Sequence, residues 1–217
     1  MPSRYVIRNF VNDYYYHIFN RGVEKRNIFL DDQDRLIFLY YLFIYLAPPD
    51  QVSLKYPQLP LRLQGKNLSQ EINLVAYCLM PNHFHLLLQQ KTSSAISKLL
   101  KQLTNAYTLY FNQKYQRVGG LVQGRFRAVM VVSDELLLHI LRYIHLNPIV
   151  SGVVKNLKEY PWSSHLDYLG KPGRLNCLKL TTLSDFPSVE EYEEFILDHV
   201  GYAQEVERIK HLTLEEI

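Results

Sequence analysis

The chain has 217 residues, of which 47% are hydrophobic and 21% are charged, so it can bury a substantial core and extended disorder is not expected. Its net charge is only +3, and its longest apolar run, residues 36–47, is too short to span a bilayer and contains three tyrosines. No basic-then-apolar leader opens the sequence, so neither membrane insertion nor export is expected.

The small net charge conceals an uneven distribution. Residues 185–217 carry ten acidic and two basic residues, whereas the rest of the chain carries 11 acidic and 22 basic ones. Residues 72–133 contain no Asp or Glu at all. Scattered lysines on a solvated helix face would explain part of this bias, but an acid-free basic stretch of this length favours a polyanionic partner.

The two cysteines, Cys78 and Cys177, lie far apart and form no C-x-x-C pair. This usage predicts a reduced, cytoplasmic protein without a disulfide framework.

The first predicted strand covers residues 14–20, which are rich in aromatic and β-branched residues. Asp31 or Asp32 then predicts the start of a helix, which the pair Pro48-Pro49 ends. Residues 48–70 contain four prolines and are expected to form an irregular insertion.

Two strands are predicted next, at residues 72–79 and 84–89, joined by the turn pair Pro81-Asn82. Thr92 or Ser93 is the predicted cap of a long helix that ends near Gly119-Gly120.

A fourth strand is predicted at residues 126–132, and Ser133 is expected to open a helix that continues to about Leu146. The order β-α-β-β-α-β followed by α predicts an α+β fold with a ferredoxin-like antiparallel sheet and one additional helix. Residues 1–170 are expected to form this domain. Residues 171–217 are expected to be an acidic extension with a helix over residues 188–208.

Two histidines in the second strand of the predicted hairpin are the first candidates for chemistry. Side chains alternate across a strand, so His83 and His85 project from one face and Phe84 projects from the other. Two imidazoles at this spacing can reach one cation. A structural role for a lone His-x-His pair on an apolar strand is the alternative.

The last helix of the domain supplies a second pair, because Tyr143 and Asn147 are four residues apart and share a helix face. Facing the histidines, they would add a hydroxyl nucleophile and a third ligand. Tyr107 and Tyr110 are rival nucleophiles, although their positions in an apolar stripe favour packing. His139 could assist proton transfer or face solvent, and we interpret His145 as structural.

Four separated motifs together resemble a known family. Residues 80–86 (MPNHFHL) are similar to the histidine–hydrophobic–histidine signature of single-tyrosine transposases. Residues 119–127, 142–148 (RYIHLNP) and 160–164 (YPWSS) are similar to the branch called REP-associated tyrosine transposases. The resemblance covers about residues 14–168.

The resemblance implies an enzyme that cuts and rejoins single-stranded DNA, often near hairpins. It implies that His83 and His85 bind a metal, that Asn147 is a third polar ligand and that Tyr143 becomes joined to a DNA 5′ phosphate. A hard ion such as Mg²⁺ or Mn²⁺ suits phosphate oxygens better than structural zinc does.

Predicted DNA contacts are the basic or polar side chains of Gln123, Arg125, Arg127, Lys98 and Lys101. Hairpin-forming single-stranded DNA is the expected partner, and the chain is expected to be a monomer or a homodimer. Two other functions stay open, namely a non-catalytic module that binds structured nucleic acid and a structural zinc or hydrolase site.

Overall fold

The computed structural model of the protein describes residues 10–171, 173–175, 178 and 186–201. Within these residues four strands form one antiparallel sheet with the order β2-β3-β1-β4. The strands are β1 (Tyr15–Arg21), β2 (Ile72–Met80), β3 (His83–Gln90) and β4 (Arg127–Val131). With the two crossover helices, this strand order is the ferredoxin-like arrangement and confirms the predicted α+β fold.

The helices that the structure describes are α1 (Asp32–Leu46), α2 (Pro49–Lys55), α3 (Leu61–Gln64), α4 (Ala95–Lys114), α5 (Asp134–Val150), α6 (His165–Tyr168) and α7 (Val189–Leu197). Short 3-10 turns lie at Val23–Lys25 and Leu157–Glu159. Across these described ranges, no helix combines the length and the apolar character needed to cross a membrane.

The two faces of the sheet have different roles. On one face, Ile18, Phe84 and Leu86 are fully buried, and the ring of Phe84 lies 5.1 Å from that of Phe38 in α1. Tyr107 of α4 packs 5.2 Å from the same Phe38 ring, so α1 and α4 form the core on this face. The side chains that alternate with these core residues point to the opposite face, which α5 covers.

The start of α4 differs from the prediction. The cap position is Ser94, in the left-handed conformation with φ 67°, and neither Thr92 nor Ser93 caps the helix. The buried Gln90 at the end of β3 accepts a hydrogen bond from the backbone N–H of Ile96, so a strand residue satisfies the helix terminus. The Thr92 hydroxyl instead donates to Glu71.

The insertion at residues 48–70 is more regular than predicted, because α2 and α3 lie inside it. Val52, Leu63 and Leu68 are buried against the core. The side chain of Asn67 donates at 2.8 Å to the carbonyl oxygens of Ile44 and Ala47 at the end of α1. The segment is therefore held in place by buried apolar side chains, whereas the prediction of an irregular segment rested on its prolines.

The C-terminal extension contains α7, which packs against α5. The predicted helix over residues 188–208 begins as expected, with Ser188 as its cap, but it ends at Leu197, with Asp198 as its C-cap. Residues 202–208 lie outside the described residues. Cys78 is buried in β2 as a free thiol, and Cys177 also lies outside the described residues. The reduced, cytoplasmic environment stays a prediction.

An ionic cluster joins α1 to α4. Asp31 and Asp34 form a capping box at the start of α1, and Lys114 lies 2.7 Å from the Asp31 carboxylate and 2.9 Å from the Asp34 carboxylate. The Asp34 side chain is fully buried and accepts further hydrogen bonds from Tyr110 and Tyr115. This buried carboxylate depends on Lys114 for its counter-charge.

Replacing Lys114 with Met should therefore lower the free energy of unfolding by about 3 kcal/mol, because the Asp34 carboxylate would stay buried without its cation. Urea denaturation monitored by circular dichroism measures the change. Lys101→Met, on an exposed position of the same helix, should change stability by no more than about 0.5 kcal/mol. Equal effects from the two variants would contradict this role of Lys114.

Candidate functional site

Strand pairing brings three histidines together on the face of the sheet that α5 covers. His85 pairs with Phe19 of β1, and His83 pairs with Arg21. The ring centroids of His83 and His85 are 4.8 Å apart, and that of His17 lies 5.0 Å from His85. As predicted, His83 and His85 point to the face of the sheet opposite to Phe84, although His85 is buried there.

Hydrogen bonds fix how these rings are presented. The Nδ1 atom of His83 lies 2.6 Å from the side-chain oxygen of Asn82, and Nδ1 of His85 lies 2.8 Å from Nε2 of His17. The Nε2 atom of His85 is buried and makes no hydrogen bond to any described residue. Buried polar atoms normally have a hydrogen-bond partner, and an atom that binds a metal is left without one when the metal is absent.

Burial also sets the charge of the histidines. It lowers the pKa of His17 to about 4. Burial, with the nearby His17 and His83, lowers the pKa of His85 well below its ordinary value of 6.5. Both rings are therefore neutral at pH 7, which is the state in which imidazole binds a metal.

Tyr143 lies over the histidines. Its ring is edge-on to both His85 and His17, with centroids 5.4 and 5.7 Å away. The residue is 47% exposed, whereas both histidine partners are buried. The helix thus brings a solvent-accessible phenol to the same face of the sheet as the histidines.

Asn147 is buried on the same helix, and its amide nitrogen donates at 2.8 Å to the backbone oxygen of Tyr143. The helix was predicted to end near Leu146, but it continues through Pro148 to Val150 because its last turn is packed into the core. Asn147 therefore keeps its helical alignment with Tyr143.

The side chains fit an oxygen-preferring ion only in part. In the described part of the chain, no three side chains from His, Cys, Asp and Glu converge as a metal site. His83 and His85 would supply two imidazole nitrogens, so the oxygen ligands that such an ion prefers would have to come from other groups. The amide oxygen of Asn147 stays the predicted third ligand.

The rival nucleophiles lie on the other side of the sheet. Tyr107 is buried in the core, and its hydroxyl donates to the carbonyl oxygen of Ile28. Burial raises its pKa, which disfavours the phenolate. Tyr110 donates to Asp34.

His139, the residue that could assist proton transfer, is half exposed on α5 and lies 3.8 Å from Glu135.

Several predicted DNA contacts border the histidine face. Arg127 pairs with Phe19 across β1 and β4, so its side chain points to the same face as His85. The Gln123 side chain accepts from Nε of Arg21 at 3.0 Å, and its backbone N–H donates to the Arg21 carbonyl oxygen. Arg125 is exposed in the same loop.

Lys98 and Lys101 are placed elsewhere. Both are exposed on α4, which covers the opposite face of the sheet. Lys98 also forms a 3.3 Å ion pair with Glu71. Because a sheet separates them from Tyr143, these lysines do not border the histidine site.

A buried polar network joins α5 to β2 and α7. His145 is fully buried, with Nε2 2.8 Å from the Ser164 hydroxyl and Nδ1 2.7 Å from the Tyr192 hydroxyl of α7. Ser164 in turn accepts from the backbone N–H of Tyr77 in β2. The guanidinium of Arg142 lies 3.6 Å from the centre of the Phe195 ring. The neighbours of Tyr143 are thereby held to both β2 and α7.

Sequence reasoning missed His17, Phe19 and Arg21, which all lie on the histidine face. The signal was present, since the three residues alternate along β1 with the buried Tyr16, Ile18 and Asn20. Their relation to His83 and His85 depends on the register of β1 against β3, which the sequence does not fix.

Comparisons with known proteins agree with this architecture. Residues 58–147, which include His83, His85, Tyr143 and Asn147, match the family of IS200-like transposases. A curated protein of Haemophilus influenzae, described as a candidate REP-associated tyrosine transposase, is 36% identical over 101 residues. The match covers 42% of this chain and 57% of that protein, so the chain spans little more than half the length of this relative.

A solved structure of a REP-associated tyrosine transposase bound to a REP hairpin has the same fold, with a TM-score of 0.50 and 16% sequence identity. The alignment covers 81% of this chain and 92% of that one. With the family match, these findings confirm the resemblance to REP-associated tyrosine transposases that the motifs indicate.

The network behind α5 should make the fold sensitive to acid. Burial, and secondarily the nearby His165, lowers the pKa of His145 well below 6.5. The unfolded chain therefore takes up a proton before the folded one, so this contribution to stability is present above pH 6.5 and is lost as the pH falls. The loss should approach about 1.4 kcal/mol per pH unit for this group.

Urea denaturation at pH 7.5 and 5 tests this expectation. His145→Gln should be less stable than the unmodified protein at pH 7.5 and should lose less stability on acidification. His139→Gln, at an exposed position of the same helix, should keep the original pH dependence. An unchanged pH dependence in His145→Gln would show that His145 does not carry the effect.

Proposed function

We propose that this chain, whose residues 58–147 match the IS200-like transposases, is a metal-dependent single-stranded DNA endonuclease and strand transferase that acts through Tyr143. The observation that carries the proposal is the position of Tyr143. Its exposed phenol ring lies 5.4 Å from the ring of the buried His85, whose Nε2 atom lacks a hydrogen-bond partner among the described residues.

The residues that would hold the metal are His83 and His85 through their Nε2 atoms, with the Asn147 amide oxygen as the third ligand. When bound, Mg²⁺ or Mn²⁺ would offset negative charge on the scissile phosphate. The hydrogen bonds of Asn82 and His17 to the Nδ1 atoms hold both imidazoles in place for this role.

Cleavage begins when the Tyr143 phenol oxygen attacks the phosphorus atom. An O–P bond to Tyr143 forms and the bond from phosphorus to the 3′ oxygen breaks. The phenol gives up its proton, which its exposure to solvent allows, and the departing 3′ oxygen takes one up. The products are a DNA 5′ phosphate joined to Tyr143 and a free 3′ hydroxyl. Because one phosphate ester replaces another, a strand can be resealed without ATP.

The side chains around the histidines suit a single DNA strand. Arg127 and Arg21 are cations on the same face as His85 and His83, and Gln123 and Arg125 lie in the loop beside them. Phosphates crossing this face would meet both arginines on the way to Tyr143. The fold shared with a transposase that binds a REP hairpin supports a hairpin-associated substrate.

Lys98 and Lys101 can serve only a longer DNA. They lie on α4, behind the sheet, so a short strand that reaches Tyr143 does not touch them. A hairpin flanking the cleaved strand could extend around the domain to these lysines.

The nucleophile can be tested by covalent trapping. Incubating the protein with a labelled single strand that carries a hairpin, in the presence of Mg²⁺, should yield a protein–DNA adduct that survives denaturing electrophoresis. Tyr143→Phe should reduce the adduct to background because it lacks the attacking oxygen, while Tyr110→Phe should retain it. A chelator should abolish the adduct in the unmodified protein.

Each result separates the possible functions. An adduct that persists in Tyr143→Phe would assign the nucleophile to another residue. An adduct that forms in the presence of chelator would rule out the metal requirement. Tight binding with no adduct under any condition would favour a non-catalytic nucleic-acid-binding module.

The DNA path can be tested by comparing Arg127→Ala with Lys101→Ala. On a short single strand, Arg127→Ala should weaken binding several-fold and reduce the slope of log K against log salt by about one, because one phosphate contact is lost. Lys101→Ala should leave this binding unchanged and should weaken only the binding of the longer hairpin substrate. Titrations by fluorescence anisotropy at several salt concentrations measure both effects. The reverse pattern would place the strand on the α4 side.

A further inference from the structure

We propose that His17 of β1 is a positioning residue that holds the His85 imidazole in the form that presents Nε2 to a metal. The inference rests on the metal-dependent function proposed above. It gives a role to a buried histidine that lies outside the sequence motifs and belongs to a different strand from the two ligands.

The first observation is a contact between two ring nitrogens. Nε2 of His17 and Nδ1 of His85 are 2.8 Å apart, which is hydrogen-bond distance, and both rings are buried. A hydrogen bond between two ring nitrogens has one donor and one acceptor, so a single proton lies between them. If the proton is on His85 Nδ1, then His85 Nε2 carries a lone pair. If the proton is on His17 Nε2, then His85 Nε2 carries a hydrogen and cannot bind a cation.

The second observation decides between these two arrangements. Nε2 of His85 is buried and has no hydrogen-bond acceptor among the described residues. A hydrogen on this atom would be a buried donor without an acceptor, which costs free energy. A bound cation would not remove this cost, because a cation cannot accept a hydrogen bond. A lone pair on the same atom is the group that a cation satisfies.

His83, the other proposed ligand, is also held by a hydrogen bond at its Nδ1 atom. Nδ1 of His83 lies 2.6 Å from the side-chain oxygen of Asn82, and an amide oxygen can only accept. His83 must therefore carry its proton on Nδ1. His17 stands in the same relation to His85 as Asn82 does to His83, and each partner leaves the Nε2 atom of its histidine with the lone pair that a metal ligand needs.

Contacts with neighbouring rings hold the His17 imidazole in place as a hydrogen-bond acceptor for His85. Its ring stacks on Phe19 at 5.1 Å and meets the Tyr143 ring edge-on at 5.7 Å. Its Nε2 atom is used by His85, so it is not itself available as a ligand on that side. His17 thus acts on the metal through His85 and does not touch the reacting atoms.

Two variants separate this role from simple packing. His17→Leu fills the position with an apolar side chain and removes the acceptor, whereas His17→Gln supplies an acceptor oxygen at a similar distance from the backbone. His139→Leu, which removes an exposed histidine from α5, is the matched control. Each is studied in the 217-residue chain, with circular dichroism to establish that it is folded.

Two measurements are made without DNA. Long-range ¹H–¹⁵N spectra of the ¹⁵N-histidine-labelled protein report which nitrogen of each ring carries the proton. Electron paramagnetic resonance of free Mn²⁺ gives the affinity for the metal. The unmodified protein should have His85 protonated at Nδ1 before any metal is added. In His17→Leu this preference should disappear and Mn²⁺ affinity should fall about 10- to 100-fold. His17→Gln should recover most of both, and His139→Leu should match the unmodified protein.

The outcomes distinguish this inference from the proposed function. If the unmodified protein binds Mn²⁺ through His85 but His17→Leu binds it equally well, the role of His17 is wrong and the proposed function stands. If the unmodified protein binds no Mn²⁺, both are overturned. If His17→Leu does not fold, the spectrum of the unmodified protein still decides, because a His85 ring protonated at Nε2 would contradict the inference.

Discussion

The alternation of side chains along β1 and β3 is the constraint on which the rest of the structure depends. In β3, Phe84 and Leu86 enter the core under α1 and α4, and His83 and His85 point to the other face. The same two strands therefore supply the buried apolar area that stabilises the fold and the polar side chains of the site. A shift of one residue in their pairing would exchange the two sets and destroy both.

The position of Tyr143 is determined by contacts on the far side of its helix. His145, two residues further along α5, is linked to β2 through Ser164 and to α7 through Tyr192. Helix α7 belongs to a segment outside the ferredoxin-like unit, yet it packs directly against the helix that carries the phenol. The described part of the C-terminal extension thus helps to hold the site, although its residues are remote from the histidines.

Local chemistry was predictable from the sequence, and long-range pairing was not. The Asp31 cap, the turn before His83 and the shared helix face of Tyr143 and Asn147 follow from neighbours a few residues apart. The acceptor that caps α4 comes instead from Gln90, in a strand, and the partner of His85 comes from His17. The placement of Lys101 behind the sheet likewise depends on how the helices pack. Such relations require the register of the strands and the packing of the layers, which no local pattern encodes.

The contact between His17 and His85 joins residues that are 68 positions apart in the chain. The His-x-His motif itself is local and exists in any peptide that contains it, but its second ring is oriented only after β1 has paired with β3. Closing a loop of this length carries an entropic cost that must be met before the contact forms, so pairing of this kind belongs to the slow part of folding. The arrangement of the three histidines is therefore completed late, and a partly folded chain carries the His-x-His motif without the contact that orients its second ring.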